Sequence, residues 1–441
     1  MIARGDDGEA ICGPCAGLPG AYTCPGCGTG GRLYADGRCP RCVLKVRLEQ
    51  HLGGPDGHVP NQLRPLADAL AEADDARGVL CWLKRSPNAH LLAELAAAGR
   101  TISHELLDEL PPGRYEHYVR QALVHTGVLP ERHEDLDRIP AWLDTLLAER
   151  PAQHARLVRP YVHWFLLKQA RRRASHRLHP ARSGSFLRTR IRIALELLTW
   201  LDEHGLALAT LTQADLDRWL VTGNTRTYTI RYFLGWAADR GLTPRLTVPA
   251  IPRQDPASIL AEDDRWDQLH RCLTDTDLPL DVRAAGALLL LFGLPTSRIR
   301  MLRPEHLHDR DGGTYLTLGR HPLLVPPKLA TLLGDLAATP ANRTRLAAGA
   351  GWLFPGRVPG QPAGPSGFSR KLLDHGIDAR PARNAALIAL VEDLPAPILA
   401  DVLGMHINTA VRWTQVARRD WTEYLIAREE DAKRGNTAPS E

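Results

Sequence analysis

Long apolar runs are missing from this chain: no stretch of its 441 residues reaches 18 uncharged apolar positions, which argues against a membrane-spanning helix. The opening Met1-Ile2-Ala3-Arg4-Gly5-Asp6-Asp7 has no apolar centre of the kind a secretory leader needs, so a soluble, cytoplasmic protein is expected. Lysine is scarce as well. Only six of the 55 basic residues are lysine, the rest being arginine, and the formal net charge is a mild +5. That balance does not by itself assign a polyanionic partner. The arginine excess fits a GC-rich coding bias as readily as selection for bidentate phosphate and guanine contacts. Core-forming material is not lacking: 44% hydrophobic and 24% charged residues are ordinary for globular protein, and the length suits two to four domains.

Cysteine is concentrated rather than absent. Six of the eight cysteines form three C-x-x-C pairs, Cys12/Cys15, Cys24/Cys27 and Cys39/Cys42. Each such turn brings two thiolates within reach of one ion, and two turns close a tetrahedron around Zn2+. An eleven-residue insert, Gly28 to Arg38, separates the second and third pairs and carries Tyr34 and glycines as a short hairpin would. The spacing predicts a zinc-ribbon-like segment over residues 1–52. A disulfide scaffold fits poorly, because nothing indicates secretion, and no βαβ pattern supports a thioredoxin-like redox pair. Cys24, Cys27, Cys39 and Cys42 make one complete site. Cys12 and Cys15 make a second with His51 or His58, or replace another pair in a rearranged one. With four thiolates no position stays open for water, so the metal is expected to fold the segment rather than to catalyse. Cys81 and Cys272 lie in apolar helical contexts and read as core residues.

A Gly/Pro-rich linker spans 53–60. Beyond it, leucines at three and four spacing predict short amphipathic helices, punctuated by Pro111-Pro112-Gly113 and Leu129-Pro130, and a helical docking or spacer domain over 60–150. A longer helix is expected from about Ala152 to Ala174, with Leu157, Tyr161, Trp164, Phe165 and Leu167 on its apolar side. It ends in Arg171-Arg172-Arg173, which suit a helix C-terminus and are candidate phosphate contacts.

From about Ser185 the order of motifs resembles the tyrosine recombinases, the phage integrase and Xer-type family. The stripe Ile191, Leu195, Leu198, Leu201, the capping-box-like Thr212/Asp215, and the segment Tyr228–Leu242 with Gly241 as its cap match a helical DNA-clamping module, taken here as 152–250. Pro249, Pro252 and Pro256 supply the linker. The second module, 256–425, contains Gly293-Leu294-Pro295-Thr296-Ser297-Arg298, an insert with strands at Gly313–Leu318 and Leu323–Pro326, then Arg380-Pro381-Ala382-Arg383 and Leu403-Gly404-Met405. The resemblance implies a mainly α, multidomain chain with an α+β recombinase-like C-terminal domain. It also implies lost chemistry: Pro295 stands for the first catalytic arginine, Arg380 for a histidine, Met405 for another and Trp413 for the nucleophilic tyrosine. Arg383 alone keeps its identity, and the family's hairpin lysine is missing, with Arg320 and His321 nearby. Tryptophan cannot form a phosphodiester-cleaving covalent intermediate, and proline donates no hydrogen bond. An active enzyme would need a displaced nucleophile, Tyr424 or Tyr315.

The segment Pro395–Ala417 also reads as a helix-turn-helix, with small Ala400 and Ala410 at the helix crossing, Gly404 in the turn, Asn408-Thr409 opening the second helix, and Trp413 in the core between helices. His406, Asn408, Thr409, Arg412 and Gln415 would then face DNA. Residues 426–441 read as a charged, disordered tail. The expected partner is duplex DNA, with an active recombinase or a second copy of this chain beside it, and a nucleoid-associated location. An active site-specific recombinase with a displaced nucleophile, a helix-turn-helix regulator of transcription and a protein-interaction scaffold are the alternatives.

Overall fold

In the computed structural model, the described residues are 3–4, 10–11, 22–31, 33–111, 113–174, 183–250, 256, 258–338 and 351–418. They are mainly helical, with one small three-stranded sheet. Two compact units result. One joins Met1–Pro130 to Asp255–Glu441, and the other is Glu131–Gln254, inserted between those halves.

In the first unit, the helices Pro40–His51, Arg64–Ala71, Ala76–Arg85, Pro87–Ala97 and Arg114–His125 share a core that includes Leu44, Leu66, Leu92 and Leu123. A fully buried cation lies beneath it. Arg120 donates to Glu116 Oε1 (2.7 Å), to Asp108 Oδ1 (2.8 Å) and to the carbonyl of His104 (3.1 Å). Pairing and hydrogen bonding are what make such a charge tolerable away from water. Cys81 departs from expectation. The Ala76–Arg85 helix buries Val79, Leu80, Trp82 and Leu83, so position 81 points outward and its thiol is exposed, whereas Cys272 is buried as expected.

The C-terminal half of the same unit wraps Leu280–Phe292, a helix apolar all round beyond Asp281 and Arg283 in its first turn and therefore buried among its neighbours. Glu262–Thr274, Pro327–Ala338, Pro365–Asp374 and Ala379–Asp393 pack around it. Its sheet is an antiparallel meander of Leu307–Arg310, Gly313–Thr317 and Pro322–Leu324, with Leu316 opposite both Leu307 and Leu323. Asp311 and Gly312 both have positive φ (50° and 77°), the two-residue turn that fits strand twist. The halves of the unit meet where Gln361 Nε2 donates to Gln121 Oε1 (2.7 Å) and Gly360 lies against His125.

The second unit has its own core, in which Leu136, Ile139, Leu143 and Leu147 join Tyr161, Ile191, Leu195, Phe233 and Trp236. Helices Glu134–Asp137 and Ile139–Ala148 therefore pack with the residues after them, and the boundary falls near 131 rather than near 151. The expected 152–174 helix is interrupted. Pro160 sits inside it, and Tyr161–Leu167 is a π-helical segment. Its wider turns shift the buried face to Tyr161, Val162, Leu166 and Leu167 and leave Trp164 74% exposed, against the simple helical stripe. The Thr212/Asp215 capping box is present in full, opening helix Gln213–Val221.

Candidate metal centre and nucleic-acid interface

The metal centre is assembled by two local devices. The first is the Cys24-Pro-Gly-Cys27 turn, closed by Gly28 N donating to Cys24 O (2.8 Å), with Gly28 at φ +71°. The insert then turns back through Asp36 and Gly37, both left-handed, and Arg38 N donates to Ala35 O (2.9 Å). The second device is the start of the Pro40–His51 helix: Cys39 is its N-cap residue, Pro40 its first residue, and Cys42 lies in its first turn. The four sulfurs of Cys24, Cys27, Cys39 and Cys42 lie within 4.8 Å of one another. The Cys27–Cys39 separation, 3.6 Å, is close to the edge of about 3.8 Å implied by a Zn–S bond of about 2.3 Å in a tetrahedron.

The electrostatics suit thiolates. The amide of Cys39 donates to Cys24 Sγ (3.3 Å), and chiefly for that reason the Cys24 thiol is lowered to about 6. The Thr29 side chain lowers Cys27. Cys42 is pushed up to about 12, first because its sulfur shares a hydrogen bond with that of Cys27. Four sulfurs so close compete for protons, a conflict that a divalent cation removes. A Cβ at Gly26 would lie 3.2 Å from Cys42 Sγ, so glycine keeps this pocket open for the thiols. The donor set thus fits Zn2+. Cys12 and Cys15 lie outside the described residues. His51, one proposed partner for them, has its Nε2 at 2.9 Å from the Ala89 carbonyl, and His58 is exposed.

In the C-terminal half, Gly293 brings the 293–298 turn against the helix that carries Arg380 and Arg383. It ends the Leu280–Phe292 helix at φ +57°, and a Cβ there would lie 2.6 Å from Leu387 and 3.3 Å from the Arg383 carbonyl. Glycine lets the Ala379–Asp393 helix close onto the 293–298 turn. Pro295 is the N-cap residue of the short Thr296–Ile299 helix, and its carbonyl accepts from Arg298 N (2.8 Å). Arg298 is the residue that sequence reasoning missed. Its guanidinium donates to the carbonyls of Leu403, Gly404 and Leu318, clamping the end of the Ala396–Leu403 helix to the hairpin turn. Arg320 N adds a bond to Asp401 O (3.1 Å), while the side chains of Arg320 and His321 are exposed.

Arg383, like Arg298, is half-buried with its pKa lowered by desolvation, but its Nε is buried with no hydrogen-bond partner. Arg380 is exposed on the same helix, where only its backbone N–H bonds Asp378 (3.2 Å). Met405 is half-buried and its N–H donates to Ala400 O (3.0 Å). Trp413 is only 5% exposed and sits in the core with Leu399, Ala400, Leu403 and Ala410. Tyr315 is half-buried on the middle strand, and Tyr424 lies outside the described residues.

Gly404 adopts φ +56° between the Ala396–Leu403 helix and helical residues 407–418. The second helix opens two residues before the expected Asn408-Thr409 cap. His406 accepts from Asn408 N through Nδ1 (3.2 Å) and from Thr409 N through its carbonyl (2.8 Å), so the imidazole is the cap. His406, Asn408 and Gln415 are exposed, Thr409 and Arg412 half-buried. In the other unit Arg171 pairs with Asp137 (3.2 Å), and Arg172 and Arg173 are exposed at the end of Lys168–Ala174.

No protein-family model and no curated protein matches this chain. Among solved structures it is similar to the XerH site-specific recombinase, in a post-cleavage complex bound to a palindromic difH substrate. That match has TM-score 0.42 and 11% identity, covering 62% of this chain and 94% of that one. It is also similar to the XerA recombinase, with TM-score 0.28 and 14% identity, covering 59% of this chain and 98% of that one. Neither likeness is close enough to carry an argument about activity.

Proposed function

We propose that this chain is a duplex-DNA-binding protein on a tyrosine-recombinase-like frame that no longer cuts DNA, acting as an accessory or regulatory factor in recombination or transcription. One observation carries the reading: the two arginines of the C-terminal half have parted roles. Both are half-buried and partly desolvated, but Arg298 is spent on three backbone carbonyls, whereas the buried Nε of Arg383 has no hydrogen-bond partner. A cation withdrawn from water without a counter-charge is costly, and a phosphate oxygen would relieve that cost.

Chemistry is a different matter. Phosphodiester cleavage by the family's route needs a phenolate, two arginines on the non-bridging oxygens and a general acid. Trp413 is a core residue, and Pro295 has no donor to offer. Zn2+, held by Cys24, Cys27, Cys39 and Cys42, would cross-link the knuckle to the Pro40–His51 helix and leave no coordination position for substrate.

Within this reading, Gly404 and the buried Ala400, Ala410 and Trp413 favour a groove-reading helix over residues 407–418. Asn408, Arg412 and Gln415 recur at i, i+4 and i+7, one helix face. The decisive experiment is duplex binding by the zinc-loaded protein at about 50 and 200 mM salt, where phosphate contacts predict a steep fall in affinity. It is paired with a nicked suicide duplex. A covalent protein–DNA band, or no affinity at the lower salt, overturns the proposal.

A further inference from the structure

The packed helices Pro40–His51 and Ala76–Arg85 frame a cavity of about 420 Å³ that neither the zinc site nor the DNA-binding proposal employs. Helical spacing builds it. Val43, Arg47, Gln50 and His51 recur three and four residues apart along one face of the first helix, and Leu80, Leu83 and Lys84 do so along the second. The buried Val43, Leu80 and Leu83 give it an apolar floor. Tyr34, from the hairpin between Cys27 and Cys39, supplies an aromatic wall. Two contacts hold that wall: the Arg77 guanidinium lies 5.9 Å from the Tyr34 ring centre, and Tyr34 N donates to Arg38 O (2.8 Å).

The charges around it have one sign. Arg47 and Lys84 are exposed, and among the described residues no carboxylate lines the cavity and neither cation forms an ion pair. Arg47 bonds only the neutral Gln50 (3.2 Å), and His51 is engaged through Nε2 with the Ala89 carbonyl (2.9 Å). A larger cavity of about 750 Å³ beside Cys27 and Cys39 makes the contrast. There Arg41 and Lys45 share the lining with Asp68 and Glu72, so the two signs offset one another. At the Tyr34 cavity nothing offsets the positive charge. An apolar floor, one aromatic wall and a few polar groups are the make-up of a small-ligand site, and the volume lies within the usual range of about 300–1,000 Å³. Complementarity then asks for an anion on an apolar body.

We propose that this cavity binds a carboxylate carried on an aromatic or aliphatic body, with Tyr34, Val43, Leu80 and Leu83 covering the body and Arg47 and Lys84 holding the carboxylate. A free small acid and the C-terminal residue of a partner chain share that chemistry. The site uses no residue assigned to DNA, so either proposal stands without the other.

The test uses the full zinc-loaded chain and calorimetric titration with 1-naphthoate, set against 1-naphthalenemethanol, which keeps the rings and lacks the charge. At about 50 mM salt, where screening is weak, naphthoate is expected to bind about five- to tenfold more tightly, exposed ion pairs being individually weak. Arg47→Gln/Lys84→Gln should abolish that preference and leave the alcohol's affinity unchanged. Gln50→Trp, at an exposed lining position, should exclude both ligands, and Tyr34→Ala should weaken both several-fold. Thermal melts and zinc content establish that the variants fold. A tripeptide ending in phenylalanine, as free acid and as C-terminal amide, separates the two sources. Preference for the free acid assigns the site to a partner's C-terminus; naphthoate binding without peptide binding assigns it to a free acid. Measurable but equal affinity within either pair overturns the carboxylate assignment. No binding at millimolar concentration, or binding that survives Gln50→Trp, overturns the site and leaves the DNA-binding reading untouched.

Discussion

The cysteine cluster and the arginine-bearing turn of the C-terminal half are built in opposite ways. The cluster draws all its ligands from one short stretch, Cys24 to Cys42, and its geometry follows from a tight turn and a helix start. The arginine turn draws on 293–298, the hairpin end at Leu318, the Ala379–Asp393 helix and the Leu403–Gly404 turn, held together by Arg298 and the room beside Gly293. A local site depends on its ligand and is nearly independent of distant packing. A site assembled from four remote segments depends on the whole fold.

The largest expected effect breaks the first side of that comparison. If the four cysteines hold Zn2+ as proposed, chelation, or Cys39→Ser, should release it and open residues 22–52 to hydrogen exchange and protease, because apparent zinc-binding energies in such small sites reach about 10–16 kcal/mol. Zinc analysis with exchange mass spectrometry checks this. An unchanged exchange pattern after metal loss would show that the neighbouring helices alone hold the segment.

The second contrast separates the two arginines. Arg298→Met removes bonds to three carbonyls and should cost about 2–4 kcal/mol in chemical denaturation. Arg383→Gln should change stability by less than about 1 kcal/mol, because it removes a poorly solvated charge, yet weaken duplex binding about tenfold. Equal stability losses in both variants would abolish the distinction.

Next in size is Trp413→Tyr, which trims a buried ring and should cost about 1–3 kcal/mol. No covalent adduct should form on a suicide substrate, since Pro295 and Arg380 still stand in the other roles; an adduct would overturn the silent-frame reading. The smallest effect lies at Glu49, whose carboxylate binds Arg64 at 2.6 Å and accepts from the Val59 amide. Arg64 holds Glu49 below its ordinary value, so the stabilisation exists above the carboxylate range and fades as pH falls through it. Glu49→Gln should therefore cost under about 1 kcal/mol near neutrality, the pair being half-exposed, and nothing in strong acid. Paired melts at two pH values measure it.

What the sequence made legible follows the same division. The C-x-x-C spacing and the Thr212/Asp215 box are local, and both are present. Cys81 was misjudged because an apolar neighbourhood does not say which face of a helix a position takes. Trp164 was misplaced because Pro160 and the π-helical segment break the regular period. The His406 cap was overlooked because Asn and Thr are the commoner capping residues. The role of Arg298 is not legible in the sequence, because the carbonyls it binds lie at Leu318 and Leu403–Gly404, far along the chain.

Inserting Glu131–Gln254 between the halves of the other unit has a consequence for how the molecule is made. A growing chain emerges from its N-terminus, at about 5–20 residues per second, so the helix bearing Gln121 and His125 exists well before the loop with Gly360 and Gln361. During that interval the inserted unit can complete its own core, whereas the first 130 residues hold a surface whose cover has yet to be translated. The Cys24–Cys42 cluster, if it holds a metal ion, would already be closed during that wait.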